Sequence, residues 1–246
     1  MSALAGAALQ LRVEKPETLI RDRVVSAVRD AIADGVLEDG RRLTEAELIE
    51  LTGVSRTSVR EALRHLQAVG LVERAPKRGL RVRLLRPSDV EHIFEVRAAL
   101  EPLAVELFVR RATDDQVRDL LDLCRPIVQP DDDPEAGMRA VDGLIEALLV
   151  GAGNPVLSSM LGPLNDRIHA LRRVTLSHPG RVEQARREYR DLITAIEARD
   201  AEGAAAAARR HVAAAADAAL TALRSSEPQR PEHVLRRSMR SRTPSE

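Results

Sequence analysis

Aromatic residues are nearly missing from this 246-residue chain: tryptophan is absent, and Phe94, Phe108 and Tyr189 are the whole complement. That excludes recognition of single strands or carbohydrates by stacking on aromatic platforms, which needs a ring for each stacked unit. The single cysteine, Cys124, cannot form an intrachain disulfide or supply a cysteine-based zinc cluster, and reads as a small, partly buried side chain. No run of about 18 apolar residues occurs, so no membrane-spanning helix is expected. The opening stretch MSALAGAALQLRV lacks the basic start and continuous apolar core of a signal peptide, and the expected location is the cytoplasm. Net charge is missing too, with 38 basic residues against 38 acidic ones. Bulk electrostatics therefore name no partner; only the local distribution of charge can. Lysine is limited to Lys15 and Lys77, the remaining basic residues being arginine.

What is present is a globular balance, 44% apolar and 31% charged, in a chain long enough for one large domain or two ordinary ones. Residues 1–15 show no sustained period and read as a loose arm. From Leu19 to Asp34 apolar residues follow helical spacing until Gly35. A second short helix is expected over about Glu45–Leu51. A third follows Ser55, a good N-cap, and ends before Gly70. Leu80, Val82 and Leu84 alternate with Arg81 and Arg83, the period of a half-buried strand, and a turn at Pro76–Gly79 would fold it onto Leu71–Arg74. This order, helix, helix, turn, helix, hairpin, is that of a winged helix-turn-helix over 16–86.

Beyond Arg86-Pro87 no strand pattern recurs. Ser88 with Glu91 has the spacing of a capping box and predicts a helix to about Arg111; Thr113 with Gln116 repeats it for a helix to about Cys124. RPIVQPDDDP reads as a loop, followed by helices over about Pro134–Val150, Val156–Leu176, 181–199 and, capped by Asp200, to Leu223. Residues 87–224 thus read as an antiparallel α-helical bundle, and 225–246 as a polar, proline-broken, disordered tail. The fold class is mainly α.

The sharpest local signal is EAELIELTGVSRTSVREALRHLQAVGLVE. Val59, Ala62, Leu63 and Leu66 make one apolar face of the third helix. Thr57, Arg60 and Arg64 point the other way, with Ser55 and Arg56 at the N-terminal tip. A recognition helix needs this division, one face packed on its scaffold and the other in the major groove of double-stranded DNA. Arginine reads guanine with two hydrogen bonds, and hydroxyls suit phosphates. Between Ser55 and Arg86 nine basic residues, Lys77 and Arg78 among them, face only Glu61 and Glu73.

These residues, with IADGVLEDGRRLTEAEL upstream, resemble the winged helix of the GntR family of transcription regulators. The second half resembles the all-helical FCD effector domain of the FadR subfamily, so that the likeness covers about Thr18 to Leu223. Ser58 stands where a proline is frequent in the family. The resemblance implies DNA contacts by Ser55, Arg56, Thr57, Arg60 and Arg64, with the wing residues Lys77, Arg78 and Gly79 approaching the minor groove or backbone. It also implies a homodimer on a two-fold operator, repression as the commoner behaviour, and control by a small-molecule effector held in the bundle.

FCD domains commonly hold a divalent metal through an Asp, a His four residues later and two further His. Here Asp142 matches the first position, Glu146 replaces the second, Tyr189 the third, and His211 is retained. Two readings follow. Asp142, Glu146 and His211 hold a divalent ion (Mn, Zn, Fe or Ni), the oxygen-rich set suiting harder ions. In that reading His169 is a substitute ligand, though no spacing demands it. Alternatively, His211 pairs with a carboxylate in a metal-free polar network that the Tyr189 hydroxyl completes. Arg97, surrounded at helical spacing by Ile93, Phe94, Leu100 and Ala104, should face inward. By resemblance it binds an effector carboxylate, and its plainer role is a salt bridge to Glu101.

Three functions compete on this reading: an effector-responsive regulator, a regulator whose pocket has decayed, and a metal-dependent helical-bundle enzyme. The enzyme would use Asp142, Glu146 and His211. The chain has no nucleophile elbow, phosphate loop or HExxH motif, and such an enzyme has no use for a winged helix.

Overall fold

A computed structural model describes residues 16–76, 79–129, 134–176 and 178–226. The expected arm, Lys77, Arg78 and all but the start of the expected tail lie outside them. The N-terminal unit comprises α1 (Pro16–Ala33), β1 (Arg42–Leu43), α2 (Glu45–Thr52), α3 (Arg56–Ala68), β2 (Val72–Arg74) and β3 (Leu80–Val82). The bundle comprises α4 (Pro87–Arg111), α5 (Asp114–Val128), α6 (Pro134–Ala152), α7 (Pro155–Leu176), α8 (Arg181–Glu197) and α9 (Ala201–Ser226).

Caps and turns set the winged helix. The Thr44 hydroxyl accepts the Glu47 amide at 3.2 Å and opens α2, which Gly53 closes at φ 66. The Ser55 hydroxyl accepts the Ser58 amide at 3.2 Å and opens α3. Val59, Ala62, Leu63 and Leu66 pack as expected against Val24, Val28 and Leu43. The strand order is β1-β3-β2, antiparallel throughout, with Glu73 opposite Arg81. Strand β1 was not expected; two residues show no alternation, and its pairing depends on β3 arriving beside it. Leu84, expected in the half-buried strand, lies beyond β3 and is exposed.

Two helix ends depart from expectation. Helix α4 starts at Pro87, and its capping carboxylate is Asp89, which accepts the Arg86 amide at 3.1 Å; the Ser88–Glu91 pair sits two positions further in. Proline is tolerated there because the first helical N–H has no intrahelical partner. Helix α5 runs four residues past Cys124, through Pro126, into the expected loop. Its Ile127 is buried in the bundle core, which holds the last turn in place. The Thr113–Gln116 capping box forms as expected, at 2.9 and 3.2 Å. Cys124 is fully buried, and burial pushes its thiol up to about 12.

One core joins α4, α5, α6, α8 and α9; a second joins α4, α7 and α9. In the first, Gly151 of α6 lets that helix approach Phe108 of α4 so closely that an added Cβ would overlap the ring. Gly151→Ala is therefore expected to cost about 1–3 kcal/mol by overpacking, roughly 2–12 °C of Tm for a chain of this size. Adding Phe108→Leu should return part of the loss; an unchanged Tm for the single variant would show that the ring simply moves aside.

Candidate nucleic-acid interface and effector cavity

Helix α3 presents Ser55, Arg56, Thr57, Arg60 and Arg64 on its solvent face, while Ser58 is buried and its hydroxyl lies 2.9 Å from that of Ser55. Arg60 Nε donates to Glu45 Oε1 at 2.8 Å, and that bond holds the Glu45 carboxyl below its usual range. Arg64 pairs with Glu61 on the next turn toward the N-terminus. In the wing, Arg81 donates to Glu73 at 2.7 Å and Arg83 to Asp89 at 2.8 Å. The basic excess read along the chain is thus smaller in space, because Glu45 and Asp89 enter from outside the counted window. Arg81 and Arg83 are engaged within the fold, whereas Arg56, Arg60, Arg64, Arg74 and Arg86 are exposed, Arg60 and Arg64 with acidic partners on the same surface. Gly79 adopts φ +89 at the hairpin tip and its carbonyl accepts the Ala75 amide at 2.9 Å.

A cavity of about 640 Å³ opens in the bundle. Its wall is drawn from α4 to α9, Pro126 and Ile127 being the part from α5, and from Ser26 and Arg29 of α1 in the winged helix. Asp142 reaches it from α6. Its Oδ1 lies 3.0 Å from His169 Nδ1 and accepts Arg172 Nη2, both from α7. Burial disfavours this carboxylate's charge, yet the two hydrogen bonds and the guanidinium outweigh it and hold the carboxyl far below its ordinary range. Deeper in, Glu188 Oε2 lies 2.8 Å from His211 Nδ1 and accepts Arg181 Nη2 at 2.9 Å. Burial pulls His211 down, against its bond to Glu188, and pushes the Tyr189 phenol up to about 12. The Tyr189 and His211 rings stack tilted, centroids 4.5 Å apart.

Arg97 faces inward as expected and lines the cavity. Its Nε donates to Glu101 at 2.5 Å, its guanidinium lies 5.4 Å from the Phe94 ring, and both members of the pair are about 95% buried. Arg181 is 2% exposed, and its Nε and Nη1 are buried with no hydrogen-bond partner among the described residues. Its position as first residue of α8 offered no sequence signal.

The residues at the family's metal positions share this cavity but are not gathered into one centre. Asp142 is bonded to an arginine whose charge repels any cation placed there. Glu146 is exposed at the rim, and His211 is bonded to Glu188 rather than to Asp142 or Glu146. Tyr189 stays a neutral phenol at ordinary pH. Among the described residues no three His, Cys, Asp or Glu side chains are grouped as metal ligands. As arranged, these side chains do not fit a divalent ion. His169, Arg172, Glu188 and Arg181 complete the network, and sequence reasoning reached only the first of them.

Residues 20–82 match the model of bacterial regulatory proteins of the gntR family, and residues 92–214 match that of the FCD domain. The chain is 30% identical over 191 residues to an uncharacterised HTH-type transcriptional regulator of Bacillus subtilis, YdhC, covering 76% of this chain and 83% of the relative. It is 30% identical over 202 residues to a probable D-xylose utilisation operon repressor of Paenarthrobacter nicotinovorans, covering 80% and 88%. Among solved structures it is similar to Escherichia coli McbR/YncC, with a TM-score of 0.68 and 25% identity over 84% of this chain and 97% of that one.

Proposed function

The chain belongs to the GntR family of bacterial regulators and carries an FCD effector domain, and from that premise we propose that its effector is a small organic acid bound without a metal. The protein is a DNA-binding transcription regulator and not an enzyme. The acid is read by the cavity in the bundle of each subunit of a homodimer, whose two recognition helices meet a two-fold operator. Repression is the sense we assign, in line with repressors among its relatives.

The observation that carries the carboxylate reading is Arg181. A buried N–H left without a partner costs about 1–3 kcal/mol, and this guanidinium has two nitrogens in that state beside the cavity. A carboxylate offers two oxygens in the geometry of the guanidinium fork. Each two-pronged edge of a guanidinium includes Nη2, so an entering carboxylate would take Nε or Nη1 together with Nη2 and share that nitrogen with Glu188.

Pairing of the cavity's cations with internal carboxylates, Arg97 with Glu101 and Arg172 with Asp142, favours the rival reading of a decayed pocket. A thermal-shift screen of small organic acids in the presence of EDTA separates the two. At a hundredfold excess over Kd a bound acid stabilises by about 2.7 kcal/mol, roughly 5–11 °C of Tm. Arg181→Gln should abolish the shift; because the variant also takes a countercharge from Glu188, its own Tm without acid is the reference for that comparison. A shift that appears only when Mn²⁺ replaces EDTA would restore the metal site, and no shift under either condition would support decay.

A further inference from the structure

Helix α7 belongs to both halves of the molecule. Leu161, Leu164 and Leu171 on one side pack into the bundle. Residues on the other side are joined to the winged helix. Arg167 Nε donates to the Val69 carbonyl at the end of α3, and Ala170 packs against the winged-helix core. Asp166 accepts Arg29 Nη1 at 3.3 Å and lies 3.8 Å from His65 Nε2. Between these contacts sits His169. Its Nε2 is 3.1 Å from Asp30 Oδ1 on α1, while its Nδ1 is 3.0 Å from Asp142 Oδ1 on α6. One imidazole, its side chain 10% exposed, therefore touches a carboxylate of the DNA-binding domain and a carboxylate of the cavity. Ser26 and Arg29 of α1 stand in the cavity wall beside it.

We propose that the ligand site is composite, with α1 of the DNA-binding domain forming part of the receptor and Asp142–His169–Asp30 carrying the state of the cavity to it. This rests on the reading of the cavity as a site for carboxylates. An entering carboxylate competes with Asp142 for Arg172 and His169, since both interactions are made to a carboxylate and the ligand would use the same donors. Once Asp142 yields, His169 is held from the cavity side by the ligand, and its contact with Asp30 changes. Arg29, next to Asp30 and in the wall, meets the same anion. A ligand alters operator affinity only through different affinities for two domain arrangements, and contact with groups on both domains supplies that difference.

The test uses the full-length protein and needs neither operator nor effector. Hydrogen–deuterium exchange is followed in peptides covering 20–33 for the parent, Asp142→Asn, His169→Gln and the double variant. Asp142 makes no bond to α1, yet its substitution should raise exchange there fivefold or more. His169→Gln should do the same, and the double variant should add nothing further, because both act through one ring. Asp114→Asn, which breaks the exposed pair with Arg199 elsewhere in the bundle, should leave α1 unchanged and so controls for general loosening. Exchange confined to α6 and α7 in Asp142→Asn, or additive effects in the double variant, would overturn the connection. Citrate then serves as the probe anion. Protection of α6 and α8 with altered exchange in α1, slower where Arg29 holds the anion or faster where the Asp30 contact is lost, supports the composite site, and protection without any change in α1 overturns it. No protection at all counts against the carboxylate reading, while the variant series still decides the connection by itself.

Discussion

Arg60→Ala is expected to weaken operator binding at least tenfold while leaving helicity unchanged. The side chain stands on the exposed face of α3, opposite the buried stripe of Val59, Ala62, Leu63 and Leu66, so its removal opens no cavity. A two-pronged contact to guanine is worth about 1–3 kcal/mol, and 1.4 kcal/mol is a factor of ten. Glu45 adds to the loss. In the parent it is paired with Arg60 at 2.8 Å; in the variant its carboxylate is left bare beside the DNA phosphates. Glu45→Gln alone should therefore tighten binding. The measurement is fluorescence anisotropy at fixed, stated salt, on an operator recovered by selection from random duplexes. The salt dependence then assigns the contact. A slope reduced by about one identifies a phosphate, and an unchanged slope with relaxed sequence preference identifies a base. Undiminished affinity would remove Arg60 from the interface and shift the reading to Arg56 and Arg64.

How much of this was legible beforehand follows from the range over which each feature is decided. The recognition helix was legible because its period, its Ser55 cap and its stop at Gly70 all lie within sixteen residues. Thr113 and Gln116 were legible for the same reason. The start of α4 was not, since Arg86/Asp89 and Ser88/Glu91 have the same spacing and Pro87 is compatible with either register. Strand β1 and the last turn of α5 are settled by partners brought from elsewhere, β3 in one case and the bundle core in the other. The cavity divides in the same way. The inward face of Arg97 could be read from its own helix, and so could its partner Glu101. The companions of Asp142 and His211 could not: His169 and Arg172 come from the next helix, and Glu188 lies 23 residues before the histidine it serves. Nothing in a linear reading places Asp30 of the DNA-binding domain against His169, 139 positions later, because that contact depends on how two independently legible units dock.

The largest expected loss of stability comes from Glu101→Leu. The variant leaves the Arg97 guanidinium buried between Phe94 and the cavity without its countercharge. Stripping one partner from a buried ion pair costs about 3–5 kcal/mol, roughly 6–20 °C of Tm in a protein of this size. Arg97→Met should cost a similar amount, for it strands the carboxylate instead. The two together should recover most of the loss, since apolar side chains of similar volume in place of a buried pair are often neutral or stabilising. Thermal melts of the four proteins close the cycle, and simple addition of the two single losses would mean that the pair is not coupled. The restored double variant also decides what Arg97 does. With Arg181 as the anchor for the acid, the double variant should still show the acid-dependent rise in Tm and the acid-dependent change in operator affinity. A restored fold that no longer responds would move the anchor to Arg97, with Glu101 as the internal carboxylate that the ligand displaces.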